Sequence, residues 1–280
     1  MRYLVLGHNG QLGSEFCKKF ERADVSYRGY DIDDIDIRDQ GQILAAAASF
    51  KPDVILNCAA YNLVDEAENN PQEAFHINAE GVKNIAIAAN RIGALLVHYS
   101  SDYVFDGTKS EPYTENDTPN PLNKYGESKR QGEILLEQTA ERYLLFRLSW
   151  VYGNGKQNFI YKLKQWAEKQ DKLKVADDEI SVPTSVETIA DVTLQAVQNE
   201  LQGLYHLVNG GYASRYQWAL EILKNLGIKK EIVPVSKDMF KLPAKRPDFS
   251  AMSNEKIKTE LNISIPSWQD ALKKQLLIIT

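Results

Sequence analysis

The stretch Tyr3-Leu4-Val5-Leu6-Gly7-His8-Asn9-Gly10-Gln11-Leu12-Gly13 decides the fold. Its first four residues form a short continuous apolar run, the pattern of a parallel strand buried on both faces. Gln11 to Phe20 then reads as a helix, with Leu12, Phe16 and Phe20 apolar at i, i+4 and i+8. Between them lie glycines spaced GxxGxxG, one residue wider at the start than the commonest dinucleotide fingerprint. Glycine permits the tight turn and lets the backbone approach a pyrophosphate, whose charge free N–H groups and the helix dipole stabilise. A tight strand-to-helix turn that binds nothing is the plain alternative.

Strand and helix continue to alternate outward from this turn. Val25 to Tyr30 reads as a second strand, and Ile43 to Phe50 as an Ala-rich helix. Val54 to Asn57 is a third strand, and Pro71 opens a long helix through Arg91, at a position where its missing N–H costs nothing. Ala94 to Tyr99 is a fourth strand, Leu122 to Ala140 a helix and Tyr143 to Leu148 a fifth strand. This alternation implies an α/β fold: a Rossmann-type, doubly wound parallel sheet with right-handed crossovers. Beyond Trp150 the pattern loosens. Phe159–Lys169, Ser185–Gln198, Tyr216–Leu226 and Trp268–Ile278 read as helices, and Leu204–Val208 as a strand. The expected organisation is a dinucleotide-binding domain over 1–150, joined by part of 185–210, and a smaller substrate-binding lobe over 151–280.

Composition limits the function. The 280 residues are 43% hydrophobic and 25% charged, within the range of globular chains. A net charge of −5 argues against an electrostatic nucleic-acid footprint. The apolar run at the N-terminus breaks at Gly7, too short for a signal peptide or a membrane span. Cys17 and Cys58 lie in a helix and a strand, outside any CxxC, and read as small buried hydrophobes in a reducing, cytoplasmic setting. The four histidines form no HxxxH or His/Cys cluster, against a catalytic transition metal.

Two further features carry chemistry. Asp31 closes the second strand 18 positions after Gly13, where an acidic residue can accept from an adenosine ribose 2′-OH. It equally reads as a solvated turn carboxylate in an acid-rich stretch. Tyr125 and Lys129 stand at i and i+4 on one helix, so both project from one face. A free phenol titrates near pH 10, and a nearby ammonium favours its ionised form. Ser101 follows a strand beside the glycine crevice and can hydrogen-bond a substrate oxygen. Together these residues can pass a proton to a carbinol oxygen while hydride moves from a nicotinamide. Taken alone, a YxxxK pair is a common surface pattern.

The chain resembles the extended short-chain dehydrogenase/reductases, and within them the dTDP-4-dehydrorhamnose reductase family. The likeness rests on GHNGQLG (7–13), NCAAYNLVDEAE (57–68), HYSSDYVF (98–105), YGESKRQG (125–132) and RLSWVYG (147–153), with Pro183-Thr184 and Arg246-Pro247 later. It implies reduction of the C4 ketone of a nucleotide sugar, dTDP-4-dehydrorhamnose, by NADPH or NADH, with Ser101, Tyr125 and Lys129 catalytic. By the resemblance, Gly7, Gly10, Gln11, Leu12 and Gly13 meet the pyrophosphate. Asp31, Asp36 and Ile37 lie near the adenosine, and Ala60, Tyr61, Asn62 and Tyr99 line the rest of the cofactor cleft. Ser101, Asp102, Tyr125 and Trp150 face the sugar. Arg246 is the candidate for the diphosphate, against the alternative of a solvated loop, and Trp150 reads otherwise as plain core.

Mg²⁺ at Glu15 and Glu187 is a further expectation of the family pattern, against the reading of both as solvated surface charges. Self-association as a homodimer stays open, as does the choice between the two cofactors. The sequence departs from the family where Ser101 replaces a usual threonine, where Asn62-Leu63 replaces Thr-Ala, and over Asp178-Glu179-Ile180-Ser181. A sibling ketosugar reductase giving the 6-deoxy-L-talose product is an alternative. A non-catalytic regulatory relative is another, disfavoured by the intact Ser101–Tyr125–Lys129 set.

Overall fold

The run Tyr3–Leu6 is apolar throughout because both of its faces are covered. In the computed structural model, which describes residues 1–279, Tyr3 and Val5 enter one core while Leu4 and Leu6 enter another. The first half runs β1 (Tyr3–Leu6), α1 (Gln11–Arg22), β2 (Tyr27–Tyr30), α2 (Gln40–Phe50), β3 (Val54–Asn57), α3 (Glu66–Asn69), α4 (Pro71–Phe75), α5 (Gly81–Ile92), β4 (Leu95–Ser101), α6 (Lys124–Thr139) and β5 (Tyr143–Leu148). The second half adds β6 (Val151–Tyr152), α7 (Phe159–Lys169), β7 (Lys172–Ala176), β8 (Ile180–Ser181), β9 (Thr184–Ser185), α8 (Val186–Gln198) and β10 (Gly203–His206). It closes with β11 (Ala213–Ser214), α9 (Arg215–Asn225), β12 (Glu231–Val235), α10 (Glu255–Leu261) and α11 (Trp268–Ile279).

Six strands form one parallel sheet in the order β10-β5-β4-β3-β1-β2. The chain leaves β1 to one side for β2 and returns on the other for β3, so a crevice opens at the carboxyl ends of β1 and β3. The glycine turn lies there. Residues of α1 and α8 cover one face of the sheet, and residues of α2 and α5 cover the other. A third core gathers Trp150, Tyr152, Trp218 and Trp268, all from the chain beyond β5. Among the described residues no helix is long and apolar enough to cross a membrane.

Three of the differences from the periodicity reading have a local reason. β2 starts at Tyr27 because Val25 N–H still bonds the Phe20 carbonyl and Asp24 turns left-handed, a Schellman ending of α1. α6 starts at Lys124, where the Asn123 side chain accepts from Gly126 N–H. The long helix from Pro71 is interrupted by a π-helical turn over His76–Glu80. There α6 passes so close that a β-carbon on Gly132 would lie 2.0 Å from the Asn78 carbonyl. The Asn78 side chain bonds Tyr61 N–H, the Tyr61 carbonyl and Ser128 Oγ. A π turn of this kind re-aims one side chain in an otherwise regular helix, and here it ties the loop after β3 to α6.

Candidate active site

The three glycines do different work. Gly7 has φ +76°, and a β-carbon there would sit 2.7 Å from Ala59 N; one on Gly13 would sit 2.2 Å from the Gly7 carbonyl. Both are required by packing between strand, turn and helix. Gly10 is exposed and a β-carbon there would meet only the Gly7 carbonyl at 3.3 Å. It begins α1 with no side chain capping the helix. This leaves the helix N-terminus approachable by an anion, and a dinucleotide pyrophosphate fits the turn.

The other residues expected at the cofactor are spread around the crevice. Gln11 uses its side chain to hold the loop after β6, accepting from Gly153 N–H and Asn158 Nδ2, while Leu12 enters the core. Asp31 accepts Asn9 N–H at 3.0 Å and Ile32 N–H at 2.8 Å. Asp36 is bound by Arg38, which holds its carboxyl below the usual carboxylate range, and Ile37 is buried against Gly81. Ala60, Tyr61 and Asn62 form the loop after β3. Tyr99 contributes its carbonyl: its ring lies in the core with Phe16 and Phe146, and its hydroxyl bonds Thr193.

Ser101, Tyr125 and Lys129 are all buried at the carboxyl end of β4 and the start of α6. Lys129 Nζ donates to the Tyr99 carbonyl at 2.6 Å. Burial pulls the ammonium down to about 8. Burial pushes the Tyr125 phenol up to about 12, against a hydrogen bond with Ser101 that lowers it. The expectation that Lys129 acidifies the phenol is not met: desolvation dominates, and the opposing pull comes from Ser101 rather than from Lys129. The result suits a proton donor, because the phenol carries its hydrogen at neutral pH. Tyr125 Oη also lies 3.5 Å from Asn62 Oδ1.

Asp102 is enclosed. Its carboxylate accepts from Ser101 at 3.1 Å, Ser181 at 2.8 Å and Ser250 at 2.6 Å. Burial still pushes it up to about 6. Ser181 and Ser250 come from distant segments, so no motif announces them; nor does one announce Asn78. Tyr125 packs edge-on against Tyr103, which lines a cleft of about 980 Å³ together with Trp150, Arg215 and Arg246. Arg246 is committed to Asp65 through two bonds of 2.7 Å and to the Ala244 carbonyl at 2.6 Å. Glu15 pairs with Lys19 and Glu187 with Lys274. No group of three ligating side chains suited to a metal forms among the described residues, so the Mg²⁺ expectation finds no assembled site.

A doubly wound sheet, a glycine turn at its first crevice and a serine, tyrosine and lysine on β4 and α6 define an extended short-chain dehydrogenase/reductase. The family model described as the RmlD substrate binding domain matches residues 1–279, and the chain belongs to that family. It is 35% identical to the dTDP-4-dehydrorhamnose reductase of Escherichia coli over 99% of this chain and 97% of the relative. A crystal structure of a dTDP-4-dehydrorhamnose reductase from Clostridium acetobutylicum superposes with a TM-score of 0.96 at 36% identity, covering 100% of this chain and 99% of that one. The reductase of Bacillus anthracis, solved in complex with NADP, gives a TM-score of 0.96 at 31% identity over 99% of both chains.

The buried lysine makes stability depend on pH. Its folded value of about 8 lies below the usual 10.5, so between these two pH values the unfolded chain binds more protons. Stability from this group therefore rises as pH climbs through that window, and its cost is fully present below it. Urea unfolding of wild type and Lys129→Met should show the wild type gaining on the variant from pH 8 to about 10.5. A difference independent of pH would contradict the assignment.

Proposed function

We propose that the protein reduces the C4 ketone of dTDP-4-dehydrorhamnose to give dTDP-L-rhamnose, using NAD(P)H. The observation that supports this best is the buried Tyr125 hydroxyl, protonated at neutral pH and linked through Tyr103 to the cleft. Family membership over the whole chain supports the substrate class. A reduced nicotinamide, when bound along the glycine turn, supplies hydride to C4. Tyr125 then delivers its proton to the C4 oxygen, so that no bare alkoxide develops. Ser101 sits beside Tyr125 to orient that oxygen. Lys129 has one N–H engaged by the Tyr99 carbonyl, which leaves two for a nicotinamide ribose. Cys17 and Cys58 are free thiols, and we place the reaction in the cytoplasm.

The ribose site favours NADH. The Asp31 carboxylate is fixed at the end of β2 by two backbone N–H groups and would repel a 2′-phosphate. The nearby cations are turned elsewhere: Arg28 stacks over Phe50, and Arg38 is held by Asp36 and Glu73. In fluorescence titrations NADH should bind about tenfold or more tightly than NADPH, the gap of a single charge clash of about 1.4 kcal/mol. Asp31→Ser should narrow the gap. Equal affinities in the wild type would contradict this reading.

Tyr125→Phe keeps the ring and removes the proton. General acid catalysis is worth about 10²- to 10⁴-fold, so kcat on dTDP-4-dehydrorhamnose should fall by that factor with NADH affinity near normal. Turnover at a near wild-type rate would move the proton donor elsewhere.

A further inference from the structure

The cleft beside Tyr103 is basic in an acidic chain. Lys162, Lys174, Lys241 and Lys245 line it with Arg215 and Arg246, and these cations outnumber the carboxylates of Asp65, Glu179, Asp238 and Asp248 that share it, although the protein carries a net charge of −5. Such a local excess of cations suits a polyanionic ligand. Two arginines stand in the same cleft, and they are held very differently. Arg246 is locked to Asp65 by a short bidentate pair. Arg215 reaches a single oxygen of Glu179, at 3.3 and 3.4 Å. Charge-assisted bonds are ordinarily 2.7–2.9 Å, so this second pair is loose.

What fixes Arg215 is aromatic. Its guanidinium lies 3.6 Å above the Trp150 ring, with Phe159 at 5.4 Å and Trp218 at 5.6 Å. Stacking holds the plane of the fork and leaves most of its five N–H groups without a strong acceptor. Two features set Trp150 apart beneath that guanidinium. Its backbone is left-handed, at φ +38°, which a bulky residue adopts only under constraint from its surroundings. Its indole N–H is buried and has no partner.

We propose that Arg215 binds the diphosphate of the nucleotide sugar, and that Glu179 is a placeholder which the diphosphate displaces. The Trp150 stack holds the guanidinium in the wall of the cleft, where its fork can take two phosphate oxygens in parallel. Glu179 neutralises the arginine while the cleft is open to water, and its long contact makes the exchange inexpensive. Arg246 acts on the other wall as a strap between the loop after β3 and the loop after β12. The proposal rests on a nucleotide-diphosphate substrate and names the residue that recognises it.

The test is calorimetric titration of dTDP, and separately of thymidine, into the full-length protein and its variants. Arg215→Met should weaken dTDP about 10- to 100-fold, the loss expected for one or two charged hydrogen bonds, while leaving thymidine unchanged. Arg215→Lys should fall between the two, having charge without the fork. Glu179→Gln should tighten dTDP several-fold. NADH affinity, measured on every variant, should match wild type and reports an intact fold. Wild-type affinity for dTDP in Arg215→Met would overturn the proposal, as would equal losses of dTDP and thymidine. A wild-type protein that binds no dTDP and reduces no dTDP-linked ketosugar would instead overturn the substrate reading beneath it.

Discussion

The site depends on where α6 is held. Tyr125, Lys129 and Glu133 are one stripe on that helix, each a turn beyond the last. Glu133 is fully buried and bound by Arg147 of β5 through two bonds of 2.8 Å, with Arg130 completing the cluster. Desolvating both ions consumes much of their attraction, so the pair adds little net stability; removing one partner would cost about 3–5 kcal/mol. Its value is positional. Slide the helix by one turn and Glu133 leaves its guanidinium, Lys129 leaves the Tyr99 carbonyl, and Gly132 no longer faces Asn78.

The same burial that positions these groups sets their chemistry. Enclosing Tyr125 favours the neutral phenol, and enclosing Lys129 favours the neutral amine. For reduction of a ketone these shifts are compatible. The phenol must hold its proton until negative charge appears on the oxygen, and the ammonium keeps its charge below about pH 8. Asp102, ringed by three serine hydroxyls, joins β4 to the segments carrying Ser181 and Ser250. It thereby fastens Ser101 to those segments, so that the serine proposed to orient the substrate oxygen is held in one framework with them.

Much of this was legible in the chain because it is written locally. An apolar tetrapeptide before GHNGQLG implies a buried parallel strand feeding a helix, and YGESK implies two side chains on one helical face. What could not be read joins residues far apart in sequence. Asn78 looks like one polar residue in an Ala-rich helix until α6 is packed against it. Tyr99 stands where a cofactor contact is expected, yet alternation on β4 turns its ring into the core and leaves only its carbonyl for Lys129. Arg246 reads as a diphosphate candidate from the basic stretch it closes, and its partner Asp65, 181 positions away, is invisible in the sequence. Arg215, at the first turn of an ordinary amphipathic helix, carries no motif.

The measurement that bears most directly on the account is reduction of dTDP-4-dehydrorhamnose with NADH deuterated at the transferable C4 position, followed by NMR of the product. Direct transfer in this site places deuterium at C4 of the sugar, in the rhamno configuration, with the new hydroxyl proton drawn from Tyr125 and exchanged with solvent. Deuterium found elsewhere, a talo configuration at C4, or no reduction of this substrate would contradict the account.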